Sequence, residues 1–365
     1  MWKTEEGSTG RLIQLCLGYF TFYVLTGVMV KYFGSPADKG YPGLKDMEYL
    51  VYSTFGASTI CVVYAVAKKW YRLKSSRLVR WGRFEVPSEL AYIIPSGVCT
   101  AIVVPTTTLM YTLPISVMVA MVIMRGAVIV ISRTVDAIQI RQGILTKKVF
   151  AEENIAVIFA IGAVSVHLVF ETGKGGFDFL SNVPAMVILS SYVTAYAIRI
   201  YIMNYYKNTR PPGTPLDNNG FFGVEQIAAS TTMILGTILA FGAPVWFGVT
   251  VSQVVDFRAA ITDPKPSFGW AILSGIPFGV AAFFSVFLFM FKGRTATFAG
   301  LVNRLTSLVA GTTSTLVVYV LFGGKLPKTQ DWVSLGLILV AVAFLTRAER
   351  RRAAELLTAA RPTAA

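Results

Sequence analysis

The sequence predicts an all-α integral membrane protein with ten transmembrane helices, built as a 5+5 inverted repeat. Composition is the first reason: of 365 residues, 54% are hydrophobic and only 14% are charged, with a mean hydropathy of +0.61. Soluble domains carry about 25% charged residues, so composition favours a lipid environment. The other two reasons are apolar runs long enough to span a bilayer and a pattern that occurs once in each half of the chain.

The apolar runs define the ten predicted helices. Most contain the 17–25 predominantly apolar residues that a bilayer-spanning helix needs. An amphipathic stretch over 133–150 is expected to continue the fourth helix out of the membrane. The predicted spans are Arg11–Gly34, Met47–Ala67, Ser88–Tyr111, Leu113–Ser132, Asn154–Phe170, Phe179–Tyr201, Phe222–Thr250, Phe268–Phe291, Thr295–Phe322 and Trp332–Arg347.

Loop charge predicts the orientation of these helices. With a cytoplasmic N-terminus, 23 of the 33 lysines and arginines fall in inner segments and eight in outer loops, while Arg125 and Arg304 lie inside helices. This bias follows the positive-inside rule and places both termini in the cytoplasm. The net charge of +14 is then a consequence of topology. The basic, aromatic loop over 68–84 is interpreted as a membrane-surface anchor, and no nucleic-acid partner is expected.

An internal duplication is indicated by an offset of about 179 residues, which aligns an intramembrane arginine, a loop and an acidic residue in both halves. The predicted repeats are residues 1–175 and 176–346, followed by a basic cytoplasmic tail over 347–365. Five helices per repeat is an odd number, so the second repeat would be inverted, as in transporters that bind substrate near the bilayer midplane. The aligned pairs are Arg125 with Arg304, Val130 with Val309, Thr134 with Thr313, Glu152 with Asp331 and, one residue out of step, Ser96-Gly97 with Ser274-Gly275.

Arg125 and Arg304 are the main candidates for a binding site. A cation near the bilayer centre costs about 2.5–3.5 kcal/mol on insertion scales, so it needs a compensating partner. Neither arginine has an acidic residue three or four positions away, so the partner must come from another helix or from a ligand. A structural ion pair with Glu225 or Glu89 is the alternative to a ligand-binding role.

Four further residues complete the predicted sites. Tyr19, in an aromatic cluster of the first helix, and Tyr111, at the end of the third, are candidate substrate contacts, with lipid or helix packing as the alternative for the cluster. Glu225 is a candidate for substrate binding and for proton coupling, or a first-turn carboxylate stabilised by the helix N-terminus. His167, the only histidine, is a second proton-coupling candidate; the alternative is an interfacial pair with Glu171.

The motifs at the ends of the two halves resemble the drug/metabolite transporter superfamily, including its EamA-like members. Leu321-Phe322-Gly323-Gly324 and the segment Asp331-Trp332-Val333-Ser334-Leu335-Gly336 resemble the family's Phe-Gly turn and Trp-x-Gly helix start. Gly300-Leu301-Val302-Asn303-Arg304 is similar to a Gly-Ala-Leu-Asn-Lys segment of nucleotide-sugar transporters. That resemblance implies that Asn303 and Arg304 face a cavity and contact the nucleotide part of a substrate, with arginine in place of lysine.

The expected function is secondary active transport, by exchange or ion coupling, of a small organic anionic solute. The alternatives are an amino-acid or drug exporter, a translocator of a lipid-linked phosphate head group, and a non-transporting receptor in which Arg304 pairs with Glu225. The sequence contains no HExxH, CxxC or P-loop motif, so no enzyme, metal or cofactor is predicted. The expected partners are the substrate, the lipid bilayer and a second copy of the chain, in a bacterial inner membrane.

Overall fold

A computed structural model describes residues 7–75, 77–112, 117–145, 149–171, 183–211, 214–323 and 326–359, which are almost entirely helical. Two strands, β1 (Leu78–Trp81) and β2 (Phe84–Pro87), form an antiparallel hairpin, and a 3₁₀ turn covers Ala37–Lys39. The helices are α1 (Thr9–Gly34), α2 (Asp46–Ala67), α3 (Leu90–Thr112), α4 (Val117–Arg141), α5 (Ala151–Glu171), α6 (Val183–Asn208), α7 (Asn218–Phe247), α8 (Ser252–Thr262), α9 (Phe268–Leu273), α10 (Ile276–Phe289), α11 (Ala296–Phe322) and α12 (Thr329–Ala359).

Eight helical segments are long and apolar enough to cross a membrane, which makes the chain a multi-pass membrane protein. They lie in α1, α2, α3, α6, α7, α9 with α10, α11 and α12. The described parts of α4 and α5 are not among the eight, so the count of ten spans stays a prediction. Each of the ten predicted spans nevertheless coincides with helix in the described residues.

Several element boundaries differ from the prediction. The predicted eighth span consists of two helices, α9 and α10. The helix is interrupted at Ser274-Gly275, just before Pro277, which has no backbone N–H to donate. α12 continues without a break through Arg347 to Ala359, where a separate tail was predicted. α8 lies in a segment predicted to be a loop, and the basic loop after α2 contains the β-hairpin. α4 extends to Arg141, as its amphipathic continuation indicated.

Helices from the two halves of the chain pack mainly against each other. α3 packs on α6 and α7, while α10 packs on α1 and α2. α1 lies along α11, α4 contacts both α6 and α11, α2 contacts α7, and α5 pairs with α12. We call the end of the bundle where α1 begins and α12 ends the terminal end, and the opposite end the distal end.

Glycine permits the closest of these approaches. A Cβ on Gly97 of α3 would lie 2.7 Å from the backbone oxygen of Glu225 in α7. A Cβ on Gly275 would overlap the backbone oxygen of Ser53 in α2. Because a side chain at either position would push the backbones apart, these two glycines are among those that set the distance between the halves.

Buried ion pairs fasten the terminal end. Arg352 of α12 donates to Glu153 of α5 at 2.5 Å, and Arg294 pairs with Glu349. Asp136 of α4 accepts hydrogen bonds from the first backbone N–H groups of α11, those of Ala296 and Thr297, at 2.8 and 2.6 Å. These contacts hold α4, α5, α11 and α12 together where α11 begins.

Candidate functional site

Arg304 lies in α11, two to three turns from the helix start, and its side chain is directed into the bundle. Only 8% of its surface is exposed. Its Nη2 atom donates to the hydroxyl of Tyr196 in α6 at 2.5 Å, and its guanidinium carbon lies 5.0 Å from the centre of the same ring. The hydroxyls of Tyr19, Tyr23 and Tyr192 are also close enough to interact electrostatically with this guanidinium. Arg304 is therefore surrounded by tyrosines from α1 and α6.

Arg125, in α4, is as deeply buried as Arg304, with 8% of its surface exposed. Its Nη2 atom lies beside Gly311 of α11 and has no hydrogen-bond partner. Tyr19 lies close enough to interact electrostatically with both Arg125 and Arg304. The structure thus brings Tyr19, Arg125 and Arg304 together at a place where α1, α4, α6 and α11 converge.

Asn303 contributes a further polar group beside this cluster. Its side-chain nitrogen donates to Ser285 of α10 at 2.9 Å. Its Oδ1 atom is buried and has no hydrogen-bond partner, as is also true of the Nε atom of Arg304. Buried polar atoms without a partner also occur elsewhere in the described residues, including two on Arg294, so the groups on Asn303, Arg304 and Arg125 add hydrogen-bonding capacity here but do not alone define a site.

The other buried arginines of the described residues differ from these two in having carboxylate partners. Arg199 pairs with Glu225, Arg294 with Glu349 and Arg352 with Glu153. No ion pair of Arg125 or Arg304 with a carboxylate occurs within the described ranges. Arg125 and Arg304 are the two buried cations there whose charge no acidic side chain balances.

Glu225 is held by Arg199, one of the 23 lysines and arginines that the charge distribution assigns to inner segments. Glu225 is fully buried and accepts two hydrogen bonds from Arg199 of α6, at 2.9 and 3.1 Å. Ser96 and Thr100 of α3 donate to the same carboxylate at 2.6 and 3.3 Å. The alternative in which Glu225 neutralises Arg304 is therefore not the arrangement observed. The burial of Arg199 could have been predicted from its apolar neighbours in the sequence, Ile198 and Ile200.

Glu89, the other predicted partner of the intramembrane arginines, lies at the terminal end. It accepts a hydrogen bond from Arg210 at 2.6 Å and another from Ser75 at 2.5 Å. Its ion pair with Arg210 joins the start of α3 to the segment between α6 and α7. Glu89 therefore belongs to the terminal-end contacts.

Two predicted site residues have side chains outside the described part of the structure. Tyr111 lies in α3 and His167 in α5, but only their backbone is described. Their roles in substrate binding and proton coupling stay predictions. Among the described residues, no group of three or more histidine, cysteine or acidic side chains is placed to hold a metal ion.

An apolar cleft of about 500 Å³ opens near the distal end, away from the arginines. It lies between α1, in the first half of the chain, and α9 with the start of α10, in the second. Its lining residues are Met29, Tyr32, Phe33, Pro42, Ser267, Trp270, Leu273, Ser274 and Pro277. The cleft offers a mainly apolar surface between the two halves.

Comparisons with known proteins give a likeness of fold. No protein-family model and no curated protein sequence matches the chain. One solved structure, described only as "Crystal structure of protein", is similar over 94% of this chain and 99% of its own, with a TM-score of 0.56 and 14% sequence identity. At that identity the likeness extends to the fold alone, so the functional argument depends on the site.

Proposed function

We propose that the chain is a secondary transporter of a small organic anion, which binds between two inverted five-helix repeats and crosses by alternating access. Arg125 and Arg304 would bind the anionic group, Asn303 would contact a neighbouring polar group, and Tyr19 and Tyr196 would line the site. This proposal retains the expected resemblance to the drug/metabolite transporter superfamily.

The observation that carries the proposal is the unbalanced charge of the two arginines. Leaving a buried charge without a partner costs several kcal/mol, which is why Arg199, Arg294 and Arg352 each have a carboxylate beside them. A guanidinium forms short, charge-assisted hydrogen bonds with carboxylate or phosphate oxygens. An anionic substrate would balance the charges of Arg125 and Arg304, as glutamates balance the charges of the other three arginines.

The helix contacts support the inverted-repeat part of the proposal. Suppose that α1 to α5 correspond in order to α6, α7, the α9–α10 pair, α11 and α12. Exchanging the two sets converts the α3–α6 contact into α10–α1, α3–α7 into α10–α2, and α4–α6 into α11–α1. The contacts α2–α7, α4–α11 and α5–α12 are each converted into themselves. A two-fold axis between the repeats would produce this pattern.

A second candidate, translocation of a lipid-linked phosphate head group, is favoured by the apolar cleft. Met29, Trp270 and Leu273 line an opening between the halves that an acyl or prenyl chain could occupy. The head group would then bind at the same arginines. The two candidates differ in one respect: in the second, the acyl or prenyl chain of the substrate occupies the cleft.

A thermal-shift screen of the purified protein tests both candidates. The ligands are nucleotide sugars, nucleotides, phosphorylated metabolites, amino acids, cationic drugs and short-chain lipid phosphates. A ligand at a hundred times its dissociation constant stabilises a protein by about 2.7 kcal/mol, a readable shift. The screen is repeated with Arg304→Gln, Arg125→Gln and, as the control, Arg141→Gln, an exposed arginine of the same helix as Arg125.

The proposal requires that anions raise the melting temperature, that both site substitutions abolish this shift, and that Arg141→Gln retains it. A response to lipid phosphates, with none to their water-soluble analogues, would select the second candidate. If no anion stabilises the protein and Arg304→Gln sharply lowers its unliganded melting temperature, Arg304 is a structural residue and the proposal is wrong.

A further inference from the structure

The loop between α2 and α3 forms a hairpin whose strands carry apolar and basic side chains exposed at the terminal end. β1 and β2 are joined by the two-residue loop Gly82-Arg83, in which Gly82 has the positive φ (64°) that such tight hairpins favour. Phe84 is 75% exposed, Leu78 is 59% exposed and Val79 is 44% exposed. Val79 and Phe84 project from the same face of the hairpin, and an aqueous surface would gain nothing from exposing them together.

The two faces of the hairpin follow from its register. Val79 pairs with Val86, and Phe84 lies two residues before Val86, so these three share one face. Arg80 pairs with Glu85 on the opposite face, and Arg83 lies in the connecting loop. With the exposed Arg77 at its base, the hairpin has three arginines and one glutamate. It therefore combines an apolar face with a net positive charge.

The base of the hairpin is fastened to the rest of the protein. Ser88 donates its backbone N–H to Arg77, which closes the hairpin. The backbone N–H of Lys74 donates to Asp217, and Arg210 donates both to Glu89 and to the backbone oxygen of Lys74. The hairpin is thus held by the segment between α6 and α7, at the ends of two membrane-spanning helices of its own, α2 and α3.

We propose that this hairpin is a binding surface for anionic phospholipid head groups of the adjacent leaflet. A segment between the ends of two spanning helices lies at the depth of the head groups, where aromatic and basic side chains are favoured. Val79, Phe84 and Val86 would enter the interface, while Arg77, Arg80 and Arg83 would contact lipid phosphates. Near an anionic leaflet, each arginine is expected to strengthen this binding about fivefold.

The test uses the full-length protein in nanodiscs, with an environment-sensitive fluorophore attached to Val86→Cys, on the same face of the hairpin as Phe84. The labelling of the unsubstituted protein, which has Cys16, Cys61 and Cys99, supplies the background. Discs are made of phosphatidylcholine alone or with about a third phosphatidylglycerol, each with and without bromine-labelled lipid. A blue-shifted emission that bromolipid quenches, stronger in anionic discs and weaker at high salt, is the expected result.

Matched triple substitutions test the role of charge. Arg77→Gln with Arg80→Gln and Arg83→Gln should abolish the difference between the two kinds of disc. The control replaces three exposed lysines of the distal end, Lys39→Gln with Lys265→Gln and Lys328→Gln, and should preserve that difference. The proposal is overturned if the label stays in water in both discs, or if its emission is the same with and without phosphatidylglycerol. A blue shift that appears only on adding a soluble protein fraction would also overturn it, in favour of a protein partner.

Discussion

Arg199 and Glu225 form a buried, two-point ion pair that joins α6 to α7 inside the bundle. The two hydrogen bonds measure 2.9 and 3.1 Å, and Ser96 of α3 completes the carboxylate's contacts. Since removing one member would leave the other charge buried without its partner, Arg199→Gln should lower the free energy of unfolding by about 3–5 kcal/mol. Thermal unfolding in detergent measures this loss.

An apolar double substitution provides the control for that prediction. Arg199→Met combined with Glu225→Leu removes both charges, so it should recover most of the stability lost in Arg199→Gln. A double variant that is less stable than the single one would contradict the view that the ion pair is mainly structural.

Gly275 should not tolerate a side chain, because its Cβ would overlap the backbone oxygen of Ser53 in α2. Gly275→Ala is expected to destabilise the protein by about 1–3 kcal/mol, as overpacking does in other cores. Gly236→Ala is the matched control, since nothing lies within 4 Å of the added methyl group there. Alanine also favours helix over glycine, so the control should be neutral or stabilising. Equal melting temperatures for the two variants would refute the close approach.

Asp136 stabilises the first turn of α11, the helix that carries Arg304. Asp136→Ala would leave the N–H groups of Ala296 and Thr297 buried without acceptors, at a cost of about 1–3 kcal/mol each. Asp136→Asn retains one acceptor oxygen and leaves one N–H unpaired, so it should cost about 1–3 kcal/mol, roughly half the loss of the alanine variant. Thr134→Ala, an exposed change on the same helix, should leave the melting temperature almost unchanged. The melting temperature should be lowest for Asp136→Ala, higher for Asp136→Asn and highest for Thr134→Ala. Any other order would contradict the role of Asp136 as the acceptor at the start of α11.

Tyr196→Phe separates the stability of the site from its affinity for anions. The hydroxyl accepts the hydrogen bond from Arg304 Nη2, so its removal should lower the unliganded melting temperature. Because the same donor then becomes free for a ligand, the anion-induced shift should be retained or increased. Tyr201→Phe, which removes a hydrogen bond to Gln142 away from the site, is the control. Loss of the anion response in Tyr196→Phe alone would assign the hydroxyl itself to ligand binding.

The contact between Glu152 and Arg351 should give a pH-dependent contribution to stability. A hydrogen bond from its own backbone N–H, followed by the Arg351 guanidinium, lowers the pKa of Glu152 below its ordinary value of 4.5. A lowered carboxyl pKa stabilises the folded protein above pH 4.5, and the effect disappears as the pH falls through the lowered pKa. The melting-temperature difference between the unsubstituted protein and Arg351→Gln should therefore be constant from about pH 6 to 8 and shrink below 4.5. A difference that grows on acidification would have the wrong sign.

The helices were largely predictable from the sequence because their apolar runs are local features. The predicted starts and ends of α1, α2 and α11 differ from the observed ones by two residues or fewer. The break between α9 and α10 was missed, because Phe268–Phe291 is apolar throughout and only Pro277 marks a discontinuity. At the same point Gly275 packs against the backbone of α2, which lies more than 200 residues earlier in the chain, and this contact could not be read from the sequence.

The candidate site was predictable in part for the same reason. Arg304 and Arg125 stand out as charges within apolar runs, and the structure places both near Tyr19. Tyr192 and Tyr196 were not singled out, because tyrosines are ordinary in a membrane helix and only the packing of α6 against the site brings them near Arg304. Arg199 looked like a surface charge, since an arginine near the end of a spanning helix commonly reaches the interface.

The sequence by itself determined that this chain enters a membrane and which segments become helices, because a bilayer admits only apolar segments whose backbone hydrogen bonds are satisfied internally. The tertiary structure decided which buried arginines have a carboxylate partner. Ion pairs act over a few ångströms between groups on different helices, such as Arg199 and Glu225, and sequence spacing does not encode that distance. Helix packing places Glu225 beside Arg199, and Arg125 and Arg304 have no acidic partner among the described residues.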